Sequence, residues 1–241
     1  MNKNLLLIFF LLLHNITTSA QEFRSITVPG KITDVQPMTG IVFWTSSEEV
    51  ETKDIQLEFS YMLYSDIVSQ KDIYNWKKVD DLLTKIASRG HQAILRFRFE
   101  YPGENGGVTS VPQYIKESEG YNETYYKGED GKCYYVDWTN TELQAFTLDF
   151  YSKFAERYDT DPRLAFLQTG FGHWAEYHIY GGPKLALGKN FPSKDFQEKF
   201  VKHLSNTFEN TQWSISIDAA DDEYTPFADR EDLRNLSFGL A

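Results

Sequence analysis

The 241-residue chain has a single cysteine, Cys133, so no disulfide can form within it, whatever the redox compartment. Stability has to come from packing, and an aromatic content of 16% supplies the large side chains for it. Basic charge is also scarce. Against 35 Asp and Glu there are 24 Lys and Arg, leaving a formal net charge of −11. That sign disfavours nucleic acid and anionic membranes as partners, because both select basic patches, and it suits neutral or cationic ligands. No Gly-rich phosphate loop follows the first predicted strand; Thr45-Ser46-Ser47 stands there instead. The order His173, Glu176, His178 lacks the i, i+4 histidine pair of a His-Glu-x-x-His helix, and no cysteine lies nearby. No metal site and no cofactor are therefore expected.

What the sequence does have begins with an export signal. Lys3 precedes an apolar run from Leu5 to Leu13, and Thr18-Ser19-Ala20 offers small residues for cleavage before Gln21. The run is too short to span a bilayer, which needs about 20 apolar residues. No cysteine follows the cleavage point to carry a lipid. The mature protein, residues 21–241, is expected to be soluble in the periplasm or outside the cell, with no membrane insertion once residues 1–20 are removed. Its length suits one domain with a sizeable core.

The dominant pattern is strand, loop, amphipathic helix, strand. Strands are predicted at 41–44, 56–64, 92–99, 164–170 and 213–219, with a sixth at 236–240 after a weak helical stretch at 229–235. Ile73, Trp76, Val79, Leu83 and Ile86 recur at helical spacing ahead of Gly90. Leu143, Phe146, Phe150, Phe154 and Tyr158 form a second such face, opened by a Thr139–Glu142 capping box. Phe196, Phe200, Leu204 and Phe208 form a third, capped by Ser193. A Gly- and Tyr-rich insertion at 101–138 should hold a small hairpin around residues 133–136. Alternation of strands and helices implies βαβ units and a parallel sheet. Without a phosphate loop or near-continuous aliphatic strands, a TIM-type (β/α)8 barrel fits better than a doubly wound sheet. Six strands fall short of eight, so the chain reads as truncated, lacking the last two βα units. On that reading it should be inactive and poorly stable by itself, with two strand edges open.

In such a barrel the chemistry sits at the C-terminal strand ends. Ile94, Arg96, Arg98 and Glu100 share one parity of the third strand, while Leu95, Phe97 and Phe99 share the other and should face the helices. The arginines then enter the lumen, where an unpaired charge is costly, so carboxylates such as Glu58 or Asp218 must meet them. Arg98, nearer the mouth, is the better placed to contact a ligand. Past the fourth strand, Gly170 to His178 gathers glycines, aromatics, two histidines and a carboxylate. Trp174 and Tyr177 offer flat faces to the C–H surface of a sugar. Glu176 among them should have its pKa raised by partial desolvation, as a general acid for glycoside cleavage requires. The alternative is a salt bridge between Glu176 and Arg98. His173 and His178 are expected to bond sugar hydroxyls or orient Glu176. Asp218, on the inward parity of the fifth strand with Ser214 and Ser216, either lines the site or pairs with an arginine.

These residues resemble a known group. Tyr74-Asn75-Trp76, Val79-Asp80-Asp81-Leu82-Leu83, Arg89-Gly90 and Ala93-Ile94-Leu95-Arg96-Phe97 are similar to the second helix and third strand of clan A-like glycoside hydrolases. Gly172-His173-Trp174-Ala175-Glu176-Tyr177-His178 resembles the Gly-x-Trp-Gly-Glu-x-His segment of secreted glycosidase-like barrels of unassigned function. The resemblance covers roughly residues 40–241. It implies a retaining mechanism, with the carboxylate after strand four as acid/base and another after strand seven as nucleophile. Glu176 matches the first. Two departures stand out: Ala175 occupies the position where the clan usually has Asn, and no strand-seven carboxylate is present.

The leading expectation is thus a glycoside hydrolase of a poly- or oligosaccharide. Glu176 would be catalytic, and Trp174, Tyr177, His173, His178, Arg98 and Asp218 would bind substrate. The rivals are a non-catalytic carbohydrate-binding barrel and a metal-dependent hydrolase using His173, Glu176 and His178.

Overall fold

A computed structural model describes residues 38, 40–103, 107–129, 131–216, 218–221, 225 and 226. The export signal, the weak helix at 229–235 and the sixth strand at 236–240 lie outside the described residues. Those described belong to one unit, Asp34–Ala241.

Five strands build the main sheet: β1 (Val42–Trp44), β2 (Leu57–Leu63), β3 (Gln92–Arg98), β4 (Leu164–Thr169) and β5 (Gln212–Ile215). They are parallel throughout and lie in chain order, β1-β2-β3-β4-β5. A doubly wound sheet reverses its order at a switch point, whereas winding in one direction is how a (β/α) barrel grows. The described residues form such a partial α/β barrel, open between β1 and β5, and no closed barrel is seen among them.

Strand parity decides what each face meets. Ala93, Leu95, Phe97 and Phe99 are fully buried on the helix side. There they pack with α1 (Lys77–Ser88), α2 (Thr141–Tyr158) and α3 (Lys194–Thr207). The phenylalanine rows predicted on α2 and α3 are buried as expected, and Phe97 packs edge-on to Phe150 and Phe154. Each fully buried Phe contributes about 1.5–3 kcal/mol over its exposed state. On the opposite face, Leu57, Ile94 and Ala165 form a second, small apolar cluster against Val42, Phe59 and Phe166. This is the lumen face, and Arg96 lies on it as its parity requires.

Several local expectations are corrected. The cap of α2 is Asn140, whose side chain accepts from the Leu143 N–H, not Thr139, so no Thr139–Glu142 box forms. Ser193 does cap α3, accepting from the Phe196 N–H. Helix α1 starts at Lys77; Ile73 instead belongs to a short antiparallel pair, 68–70 with 73–74, and is half exposed. Strand β5 ends at Ile215, and Asp218 opens a single helical turn, Asp218–Asp221. The insertion contains the expected hairpin, Thr124–Gly128 with Gly131–Tyr135.

Candidate active site at the C-terminal end of the sheet

The loop after β4 is folded tightly on itself. Phe171 and Gly172 both donate to the Glu176 carbonyl, at 3.2 and 2.8 Å, and His173 donates to the His178 carbonyl at 3.0 Å. Closing this turn puts Trp174 and Ala175 at φ 52° and 58°, a left-handed pair that costs energy for residues with a Cβ. The glycines make the closure feasible. A Cβ on Gly170 would strike the Ala175 carbonyl oxygen, and one on Gly172 the His178 carbonyl oxygen.

This fold aims the Glu176 carboxylate back over the sheet. Its Oε1 accepts from Nη1 of Arg96 at 2.9 Å and its Oε2 faces Nε2 of His178 at 2.8 Å. Arg96 is held from the next strand by Gln168, which sits opposite it in the β3–β4 register and accepts from its Nε at 2.9 Å. Nη1 of Arg96 also reaches the Trp174 carbonyl at 3.3 Å. The donated hydrogen bond from His178 and the Arg96 guanidinium together outweigh burial, and they hold the Glu176 carboxyl below its ordinary range. This is the reverse of the raised pKa expected from partial desolvation. Desolvation does push upward here, but two hydrogen-bond donors win, so Glu176 is an anion and not a stored proton.

The tautomer of His178 follows from its neighbours. Its Nδ1 receives the Tyr180 backbone N–H at 3.3 Å, which only an unprotonated nitrogen can do, so Nε2 carries the hydrogen and donates to Glu176. The Tyr180 ring, more than half exposed, stacks on the imidazole at 4.2 Å.

A cleft of about 170 Å³ opens beside Glu176, lined by Val42, Trp44, Phe59, Tyr61, Ile94, Arg96 and Gln168 among others. The lining combines charged and amide groups with aliphatic and aromatic side chains, and Trp44 and Tyr61 are tilted together at 5.5 Å. Glu176 is the one predicted site residue in its lining. Asp218 stands just outside, its Oδ2 4.0 Å from Nε2 of His178 and 2.8 Å from the Ser216 hydroxyl that donates to it.

The remaining predicted residues are placed differently. Tyr177 is fully buried against Phe171 and offers no face to a sugar, which overturns its assignment as a platform. His173 is buried and bonded through Nε2 to the Tyr135 hydroxyl at 2.6 Å, tying the loop to the hairpin of the insertion. Trp174 is half-buried with its indole 5.4 Å from the His173 ring. Arg98 lies over the rings of Tyr61 and Tyr101, at 4.3 and 5.1 Å. Glu176 pairs with Arg96, at 2.9 Å, and not with Arg98. Glu58 belongs elsewhere, with Arg89 and His91. Sequence reasoning ranked Arg96 behind Arg98 and missed Gln168 and the aromatic wall. Arg96 was within reach of it, since mid-strand depth on the lumen parity is what brings a side chain under a loop folding back from the next strand.

Among the described residues, His173 does not converge with Glu176 and His178 as a possible metal ligand; its Nε2 meets the Tyr135 hydroxyl at 2.6 Å. The trio that does converge is Glu176, His178 and Asp218, with ligand atoms within 4.8 Å of one another. A metal-bound imidazole normally donates from its other nitrogen to an acceptor. Here Nδ1 faces an N–H donor and Nε2 carries the proton, so this arrangement does not suit a metal.

No protein-family model matches the sequence, and no curated protein matches it. Among solved structures, a GH5_18 protein of Bifidobacterium longum subsp. longum in complex with Manb1-4GlcNAc is similar over 75% of this chain and 38% of its own, with 12% identity and a TM-score of 0.47. A beta-galactosidase from the psychrophilic Marinomonas ef1 aligns over 53% of this chain and 18% of its own, with 18% identity and a TM-score of 0.36. The GH36 alpha-galactosidase AgaA from Geobacillus stearothermophilus, in complex with raffinose, aligns over 66% and 23%, with 12% identity and a TM-score of 0.36. The chain spans well under half the length of each. Likenesses at this level assign neither a family nor an activity.

Proposed function

We propose that the chain is the carboxylate-bearing part of a retaining glycoside hydrolase that acts on a poly- or oligosaccharide, with Glu176 reacting at the anomeric carbon. The observation that supports this is the anionic Glu176, past the end of β4 where a (β/α) barrel builds its chemistry, on the rim of an aromatic-walled cleft along the lumen face of the sheet. A sugar ring is apolar on its C–H faces and polar at its edge. The cleft offers both kinds of surface, the rings of Trp44, Phe59 and Tyr61 and the polar groups of Arg96, Gln168 and Glu176, with the Arg96 guanidinium over the Phe59 and Tyr61 rings at 5.4 and 5.7 Å. A carboxylate held ionised by two donors is suited to attack carbon or to stabilise an oxocarbenium ion. It is not suited to protonate a leaving group, so Glu176 takes the nucleophile's part and not the acid/base part implied by the family resemblance.

The same ion pair favours a second reading, a non-catalytic carbohydrate-binding barrel, since a locked anion also serves as a plain hydrogen-bond acceptor for hydroxyls. Glu176→Gln separates the two. On the hydrolase reading the variant loses turnover of aryl glycosides by about 10⁴-fold, while calorimetry finds sugar binding nearly unchanged. Sugar binding without turnover in the unaltered full-length protein would establish the binding barrel. Loss of binding along with turnover in Glu176→Gln would mean that the residue only holds the loop.

A further inference from the structure

We propose that Asp218 is the second carboxylate of this site, so that the reacting pair comes from the adjacent ends of β4 and β5. This rests on the glycosidase reading above and extends it, because that reading leaves the proton donor unassigned.

Three observations converge on Asp218. The first is separation: oxygens of Glu176 and Asp218, together with Nε2 of His178, all lie within 4.8 Å of one another. Carboxyls about 5–5.5 Å apart serve retention, while about 6.5–9.5 Å is needed to admit the water of an inverting enzyme. With its nearest oxygens no more than 4.8 Å apart, this pair is compatible with the shorter spacing. The second is aim. The Tyr177 backbone N–H donates to Oγ of Ser216 at 3.1 Å, and the Ser216 hydroxyl donates onward to Oδ2 of Asp218 at 2.8 Å. That chain starts on the residue next to Glu176 and ends on Asp218, so one serine fixes the Asp218 carboxyl relative to the loop. The third is the difference in company. Glu176 has a guanidinium on one oxygen and an imidazole N–H on the other. Asp218 is bonded to the neutral Ser216 hydroxyl, with Nε2 of His178 at 4.0 Å pointing its hydrogen at Glu176 instead. The Asp218 side chain also keeps about a quarter of its surface open, at 23%, so substrate and water reach it.

The steps balance as follows. An oxygen of Glu176 bonds to the anomeric carbon as the bond from that carbon to the glycosidic oxygen breaks. Its electron pair goes to the leaving oxygen, which takes the proton of Asp218. Water then attacks the same carbon and gives a proton to the Asp218 carboxylate, and the bond to Glu176 breaks with its electron pair returning to the carboxylate. Two inversions leave the configuration retained.

The test compares the protein with Asp218→Asn, an isosteric change that still accepts from Ser216, on a panel of phenyl and 2,4-dinitrophenyl glycosides with and without sodium azide. The expected result is a loss of about 10³-fold on the phenyl glycoside, whose leaving group needs a proton. Cleavage of the dinitrophenyl bond should be far less affected, and azide should restore turnover and yield a glycosyl azide of the substrate's own configuration. Undiminished phenyl glycoside cleavage by Asp218→Asn overturns the proposal while leaving Glu176 in place. So does loss of both substrates, without azide rescue, in a variant with unchanged circular dichroism. The panel is run on the full-length protein and its variants, and if the unaltered full-length protein cleaves no glycoside in it, the hydrolase reading falls and this pairing falls with it. Should Asp218→Asn fail to fold, Ser216→Ala carries the test: it should lower kcat on the phenyl glycoside about 10-fold or more at unchanged KM, and an unchanged kcat overturns the proposal.

Discussion

The two ends of the sheet each carry an arginine, a glutamate and a histidine, and the two trios do different things. At the N-terminal end, Glu58 takes Nε and Nη2 of Arg89 at 2.8 and 2.5 Å and Nδ1 of His91 at 2.7 Å, with all three side chains buried. Nε2 of His91 reaches the Thr52 carbonyl at 2.8 Å, so both ring nitrogens face oxygen acceptors. Every strong group there is used up in holding the β2 strand to the turn before β3. At the C-terminal end, Arg96, Glu176 and His178 are also in contact, but the histidine is turned by a backbone N–H and the glutamate borders a cleft. Composition does not separate a structural cluster from a reactive one. Exposure of the carboxylate and the direction of each imidazole nitrogen do.

The contrast should show most strongly in stability. Glu58→Gln leaves the buried Arg89 guanidinium facing an amide and should cost about 3–5 kcal/mol, whereas Glu176→Gln, at a partly exposed carboxylate, should cost about 1–2 kcal/mol. Urea unfolding of both variants checks this, and equal losses would erase the distinction between the two ends.

A change in pH should separate carboxyls further. Burial pushes the Glu100 carboxyl well above its ordinary range, while its Oε1 accepts from the Val136 N–H at 3.1 Å. The folded chain therefore keeps a proton there that the unfolded chain releases at about pH 4.3. The stabilisation is complete below that pH and is lost as pH rises, at about 1.4 kcal/mol per unit, until the folded carboxyl itself ionises. Glu176 is lowered, so its contribution has the opposite sign: present above about pH 4.3 and lost as pH falls through its folded value. Denaturation curves across pH for Glu100→Gln and Glu176→Gln, each against the unaltered protein, should diverge in opposite directions. Parallel curves would contradict the assignment.

The smallest effect lies in the loop that carries the reactive trio. Ala175 sits at φ 58° where a Cβ is unfavourable, so Ala175→Gly should stabilise by up to about 1 kcal/mol, measured by the same unfolding curves. A loss of stability would mean that the Ala175 methyl group, buried in the loop, contributes more packing than its backbone costs.

Much of the fold was legible because it depends on parity and spacing. The alternation in 92–99 placed Leu95 and Phe97 against helices and Arg96 in the lumen, and the phenylalanine rows placed α2 and α3. Local caps were less legible, since Thr139 and Asn140 both suit an N-cap and only geometry chooses between them. In the site, the position of Glu176 was readable from its place just past a strand, but its charge state was not. That state depends on Arg96 reaching across from β3 and on a turn that carries His178 back beside the carboxylate. Tyr177 misled for a related reason: a tight turn reverses the facing of alternate residues, so the aromatic beside Glu176 went to the core and Tyr180, three residues on, stacks in the open.

The most direct measurement concerns which carboxylate meets the sugar. After incubation with a 2-deoxy-2-fluoroglycoside bearing a dinitrophenolate leaving group, mass spectrometry of the digested protein should find the sugar bonded to Glu176. An adduct on Asp218 or on another carboxylate, or turnover of the reagent with no adduct at all, would contradict the account.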